Sequence, residues 1–463
     1  MGPRACAVVI ASTVSLFGQS PDARIVAIVG GTLIDGSGAA PTVDGVIVIR
    51  DGRIVSVGPR SAVTIPAGAD RVDAAGRFLI PGLADLHVHF AARGDDRLQS
   101  ARWIFPTLLA YGVTTVKEAG MYTADARPLK GRLERGEIAG PRLFSSGATI
   151  NGNPVEQTFL ADPDRARAAV ERSASFGADF IKIHNFVDPA ALDVIVAEGK
   201  RRGLRVTGHV PLSMTMREAI NRGMYGLEHV RVRPEELIDD PVILAKYPIT
   251  LPVQKREMFW QYVDPTGPRA AALVGLLRGR DVYFDPTLVA DEVVARHDTS
   301  KARVAGLPLL PVLVRSWAAD IFMEGLTAYD QAAWEKALKA RMGFVAAAYR
   351  AGVLVTTGTD ATIPYVYPGE SLHEELRLLV EAGLSPLEAL RAATISAARA
   401  LRQPGDFGVL APNARADVVL LTADPLRDIS NTRKIVMVWK DGRRYDPDEL
   451  KRQAAAALAA IPR

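Results

Sequence analysis

From Ile25 to Ile80 the chain alternates short apolar runs with turn signals: IVAIVGGTLIDG, then GVIVIRDGRIVSVG, then GRFLIPG. Runs of this length bounded by Gly, Asp and Pro predict a β-rich unit. The same texture returns in ADVVLLTADP (416–425) and KIVMVWKDGRRY (434–445). Strands of similar length at both ends, each with an edge to cover, predict that the two ends pair in space as one small β-sandwich. Between them, apolar runs alternate with segments whose apolar residues recur at helical spacing, the pattern of βα units around a parallel sheet. The candidate strands span 83–90, 112–120, 141–150, 179–185, 205–210, 226–230, 282–289 and 353–360. Helical segments run from Pro163 to Phe176, Pro189 to Arg202, Met216 to Arg222, Gln331 to Arg350 and Ser385 to Leu401. Eight such units predict an α/β chain built on a (β/α)8 TIM barrel. The stretch from Arg231 to Asp281 exceeds the needs of one crossover and predicts extra helices over the barrel mouth. The expected division is a leader at 1–20, the first part of the sandwich at 21–80 and the barrel at 81–403. The second part of the sandwich follows at 404–446 and a terminal helix at 447–463.

Composition narrows the function classes. At 463 residues and 48% hydrophobic, the chain buries a large core and reads as globular. Its 56 Lys and Arg nearly balance 52 Asp and Glu, so no nucleic-acid partner is expected. Cys6 is the sole cysteine, which excludes a disulfide framework, a thiolate cluster and Cys catalysis within one chain. Arg4 ahead of the apolar run Ala5 to Phe17 resembles a secretory signal peptide, although no clear small-x-small triplet precedes Pro21. Export to a periplasm or the medium is the expectation, with the cytoplasm as the alternative. No other stretch reaches the roughly 18 apolar residues that a membrane span needs.

The candidate chemistry lies at the ends of the predicted strands, where parallel barrels keep their active sites. His87 and His89 close the first strand two residues apart, so both imidazoles face the same side. His209 ends the fifth strand, His229 the sixth and Asp360 the eighth. Ordinary packing accounts for a lone His-x-His, but not easily for five such donors at strand ends. Only 12 of the 56 basic residues are Lys, and Lys182 lies between Ile181 and Ile183 in the fourth strand. A Lys facing the interior has two readings: a salt bridge to a buried carboxylate, or a neutral amine that takes up carbon dioxide. The resulting carbamate is an anion that bridges two metals, and the surrounding His favour it. His184 shares the inward face of Lys182 and is a candidate substrate contact or a structural His. Arg231 and Arg233 follow His229 and are either surface residues or partners for a substrate carboxylate. Tyr365 and Tyr367 follow Asp360 and either line the pocket or pack the loop. His297 and His373 carry no functional expectation.

The motifs PGLADLHVH, GADFIKIH, GLEH and GTDA, with the run from SLHEELRLLVEAGLSPLEALRAAT through ADVVLLTADPLRDI, resemble the amidohydrolase superfamily. The resemblance covers nearly the whole chain and points to the subset with a bridging carboxylated lysine, in the imidazolonepropionase-like and Xaa-Pro or Xaa-Arg dipeptidase-like branch. It implies two divalent ions, zinc by expectation: His87, His89 and Asp360 on the buried one, His209 and His229 on the exposed one, carbamylated Lys182 between them. It implies hydrolysis of a C–N amide or peptide bond in a small molecule, a dipeptide or N-acyl amino acid, by a metal-bridging hydroxide. In that scheme Asp360 doubles as proton shuttle. Lactone or phosphotriester hydrolysis on the same centre is the alternative. Deamination fits less well, because Val210, Pro211 and Leu212 follow His209 where deaminases place a Glu. The resemblance also implies a homo-oligomer. After the sixth strand the usual Glu-His-Gly reads Glu228, His229, Val230, a departure on the substrate side.

Overall fold

The structure, a computed structural model, describes residues 25–460 apart from 91–96, 297–327 and positions 122, 155, 157, 249, 252 and 364. The expected leader at 1–20, Cys6 and His297 lie outside the described residues. All eight central strands form, shorter than their apolar runs: β6 (Leu83–Val88), β7 (Val113–Glu118), β8 (Arg142–Ser145), β9 (Phe180–Ile183), β10 (Arg205–Gly208), β11 (Gly226–Glu228), β12 (Tyr283–Asp285) and β13 (Leu354–Val355). Neighbours pair in parallel in sequence order, β6 to β8 in one sheet and β9 to β13 in another. Parallel bridges join Ile150 to Ile183 at one seam and Val88 to Ala361 at the other. The fold is therefore TIM-barrel-like α/β, with strand ends converging on one face.

The helices start where the local chemistry requires. Asp162, Asp188 and Ser385 each cap a helix whose next residue is Pro, at Pro163–Ser175, Pro189–Arg201 and Pro386–Arg391. Their side-chain oxygens accept backbone N–H groups that have no intrahelical partner, and Pro has no N–H to lose at that position. Thr215 and Glu218 form a reciprocal capping box at Met216–Arg222, which stops at Gly223 with φ 108°. The segment expected as one helix from Ser385 to Leu401 is interrupted by a π turn at Ala392–Ser396. Between Arg231 and Asp281 the added helices are short: Pro234–Leu237, Pro241–Leu244, Val253–Arg256, a 3-10 turn at Glu257–Tyr262, and Pro268–Leu277.

The two chain ends join in one sheet. It combines β1 (Val26–Leu33), β2 (Thr42–Arg50), β3 (Arg53–Pro59), β4 (Asp70–Asp73) and β5 (Phe78–Pro81) with β14 (Val418–Leu421), β15 (Ile435–Lys440) and β16 (Arg443–Tyr445). The junction is β5 antiparallel to β14, with Ile80 opposite Val419. Alternation along β1 and β2 gives the sheet two apolar faces: Ile28, Ile47 and Ile49 pack with Trp439 on one, Ala27, Val29, Val46 and Val48 with Val63 on the other. Arg142 at the start of β8 ties this sheet to the central strands, donating to Asp417 at 2.9 Å and Asp441 at 2.6 Å.

Candidate metal centre

His87, His89, Lys182, His209, His229 and Asp360 converge at the C-terminal ends of the parallel strands. Asp360 Oδ1 lies 2.9 Å from His89 Nε2 and 3.4 Å from His87 Nε2, and Asp360 Oδ2 lies 3.9 Å from His229 Nε2. One ligand atom each from His87, His229 and Asp360 fall within 4.8 Å of one another. The His209 ring centroid sits 4.7 Å from that of His229, and the His87 centroid 4.8 Å from the same ring. His229 and Asp360 hold φ of 61° and 66°. Left-handed backbone at residues other than Gly costs on the order of 1–3 kcal/mol, and it aims both side chains back over the strand ends.

Burial, followed by neighbouring positive groups, holds His87, His209 and His229 well below the usual imidazole range, so they are neutral as metal ligands must be. Burial would also lower His89, but its bond to Asp360 and the nearby Glu118 raise it to about 9. The atoms that make the His89–Asp360 hydrogen bond are ones that a cation could take instead. Buried Nδ1 atoms on His87 and His89 have no hydrogen-bond partner among the described residues. Four imidazoles and a carboxylate around a common space, with buried nitrogens left unsatisfied, fit divalent transition metals.

Three side chains that the sequence reading did not single out support the centre. Asn185 Oδ1 lies 2.9 Å from His209 Nδ1, and Thr287 Oγ1 lies 2.6 Å from His229 Nδ1, so each ring is held with its Nε2 directed inward. Glu228 is wholly buried between two lysines, bonding Lys117 at 2.5 Å and forming an ion pair with Lys182. Burial would raise the Glu228 carboxyl, and the two ammonium groups bring it down to about 2. Lys182 faces inward as expected, and in its unmodified form it makes the salt bridge that was the less favoured of the two sequence readings. Lys117, which also bonds Tyr283 at 3.0 Å, carries the same signal as Lys182, a Lys inside an apolar strand.

The candidate substrate contacts separate. His184 stacks on His209 with centroids 3.9 Å apart, and burial, then Lys182 and Arg231, lower it to about 3. Arg231 reaches Glu257 at 3.5 Å on the wall of a cavity beside His209 and His229. Tyr365 is half-buried in the loop after Asp360. His373 is structural: it bonds Thr432 at 2.8 Å and the Tyr111 carbonyl at 3.1 Å.

Residues 286–445 match the amidohydrolase family, and two curated relatives extend the match over most of the chain. Ochratoxinase from Aspergillus niger is 26% identical across 92% of this chain and 88% of its own length. Imidazolonepropionase from Mycolicibacterium smegmatis is 29% identical across 82% of this chain and 85% of its own. Residues 286–445 thus carry the pattern of the amidohydrolase family, and the longer relatives support the same superfamily for the rest of the chain. The chain also shares its fold with the crystal structure of a Xaa-Pro dipeptidase with bound methionine, with a TM-score of 0.67 and 22% identity over 91% of this chain and all of that one. No helix among the described residues is long and apolar enough to cross a membrane.

Proposed function

We propose that this chain is a metal-dependent amidohydrolase that cleaves an amide or peptide C–N bond in a small substrate, a dipeptide or N-acyl amino acid. The observation that carries the reading is Asp360 set among His87, His89 and His229 with its two oxygens facing different rings. His87, His89 and Asp360 would hold one divalent ion and His209 and His229 the other, with Lys182 between them as a carbamate. Bound divalent ions lower the pKa of a coordinated water and polarise a carbonyl oxygen. The protein's own part is proton transfer and orientation. Asp360 Oδ2, the oxygen not engaged by His89, accepts the proton of the attacking water and returns it to the departing amine nitrogen. Asn185 and Thr287 hold His209 and His229 in one tautomer during that exchange. Glu228, anchored by Lys117, would keep the Lys182 side chain in place before carbon dioxide adds.

The architecture that supports this is a closed (β/α)8 barrel at 81–403, for which the two bridged seams argue. The end sheet, apolar on both faces, would close over itself as a sandwich from 21–80 and 404–446. The test is metal content and turnover on one preparation grown with zinc and bicarbonate. About two ions per chain and release of a free amine from N-acyl amino acids or dipeptides are expected. A metal-free, folded protein would refute the proposal.

A further inference from the structure

His229 is held from two points at the end of β12. Its backbone N–H donates to the Asp285 carbonyl at 2.8 Å, and its Nδ1 lies 2.6 Å from the Thr287 hydroxyl. Thr287 is an awkward residue for that task. It is β-branched and buried, yet its φ is 48°, a left-handed backbone that such side chains rarely adopt. It also stands directly before the helix Leu288–Arg296, where a Thr ordinarily turns its hydroxyl onto the first free N–H groups. Here the hydroxyl is committed to His229, so those N–H groups need an acceptor from elsewhere. Glu375, on the helix Glu370–Glu381, supplies it. Its Oε1 accepts the Leu288 N–H at 3.1 Å and its Oε2 the Val289 N–H at 2.8 Å. At the far end of the first helix Arg296 donates to Glu381 at 2.6 Å, so the two helices are fastened at both ends. Glu375 is wholly buried, and a buried carboxylate is a costly cap where a Thr already stands at the helix start. The arrangement is accounted for if the Thr is reserved for His229.

We infer that Glu375 is a positioning residue for the metal at His209 and His229. By capping the helix in place of Thr287, it fixes the left-handed backbone that aims the Thr287 hydroxyl at His229 Nδ1, and so keeps His229 Nε2 turned to the centre. The inference rests on the metal-dependent reading above.

The experiment titrates zinc against a chelator on the full chain, as wild type and as Glu375→Gln. Gln keeps the shape but sets an amide N–H against one of the two backbone N–H groups. The ion at His209 and His229, recognised as the one lost in His209→Ala, should bind roughly 10- to 100-fold more weakly, while the ion at His87, His89 and Asp360 keeps its affinity. Thr287→Val should weaken the same ion, and adding Glu375→Gln to it should bring no further loss, because both changes remove one contact. In metal-free protein the imidazole nitrogen resonances of His229 should place the proton on Nδ1 in wild type and divide it between the two nitrogens in Glu375→Gln. Where Gln at this position does not fold, Glu375→Asp, one methylene shorter, takes its place in each measurement. No loss, equal losses at both ions, or additive losses in the double variant overturn the inference and leave Glu375 as a cap for its neighbouring helix. A wild-type chain that takes up no zinc, yet shows the His229 change in Glu375→Gln, supports the inference and sinks the metal reading.

Discussion

Asp360 bonds His89 through one oxygen and faces His229 with the other, at 15% side-chain exposure, so it is held by the centre yet reachable by a substrate. Asp360→Asn preserves that shape and removes the base. A fall in kcat of roughly 10²- to 10⁴-fold with an unchanged circular-dichroism spectrum is expected. Lys182→Ala acts on a different quantity: metal per chain should drop from about two to one or fewer by elemental analysis, and added bicarbonate should not restore it. The clustered His and Asp residues were legible in the sequence because such side chains at the ends of apolar strands are chemically conspicuous. Asn185 and Thr287 were not, since a single amide or hydroxyl in a loop gives no periodic signal and gains meaning only when the fold brings it to an imidazole. Lys117 was legible by the criterion applied to Lys182, yet its partner Glu228 lies on a strand over a hundred positions away, and no local pattern links them.

At the scale of the element, the positions of all eight central strands could be read from their apolar runs, but not their ends. Burial continues past the paired residues, through Thr356, Thr357 and Thr359, so β13 occupies only Leu354–Val355 of a segment extending to Asp360. Weak strands escaped altogether: β4 reads DRVD, three of its residues exposed, and only its parallel pairing with β1 defines it. One register point has functional weight. A Cβ at Gly208, whose φ is 133°, would stand 2.1 Å from the Ile183 carbonyl oxygen, so only Gly lets β10 approach β9 closely enough to present His209. Gly208→Ala should cost about 1–3 kcal/mol in thermal or urea melts and lower metal occupancy, because the strands must separate beneath the ligand. A melt identical to wild type would mean that β10 shifts freely.

Across the whole molecule, the pairing of the chain ends followed from the sequence, but the ion network that ties their sheet to the central strands did not. Arg142 and Arg415 come from distant segments and meet, with the adjacent Lys440, on Asp441. Burial would raise that carboxyl, but Arg142, then Lys440 and Arg415, bring it well below the usual range. A depressed carboxyl stabilises the fold fully above the unfolded value of about 3.9, and its contribution fades as pH falls through the folded value. Asp441→Asn should therefore melt below wild type at about pH 7, with the gap narrowing towards about pH 3. A gap independent of pH would assign the loss to packing instead.

The junction of β5 with β14 also bears on how the chain is made. Strand β5 leaves the ribosome early, while Val418–Leu421 follows only after roughly 340 more residues, a wait on the order of tens of seconds at ordinary rates of synthesis. Throughout that interval the first strands present an open apolar edge to every neighbouring nascent chain. Secure folding in the cell then depends on what shields this edge until translation ends.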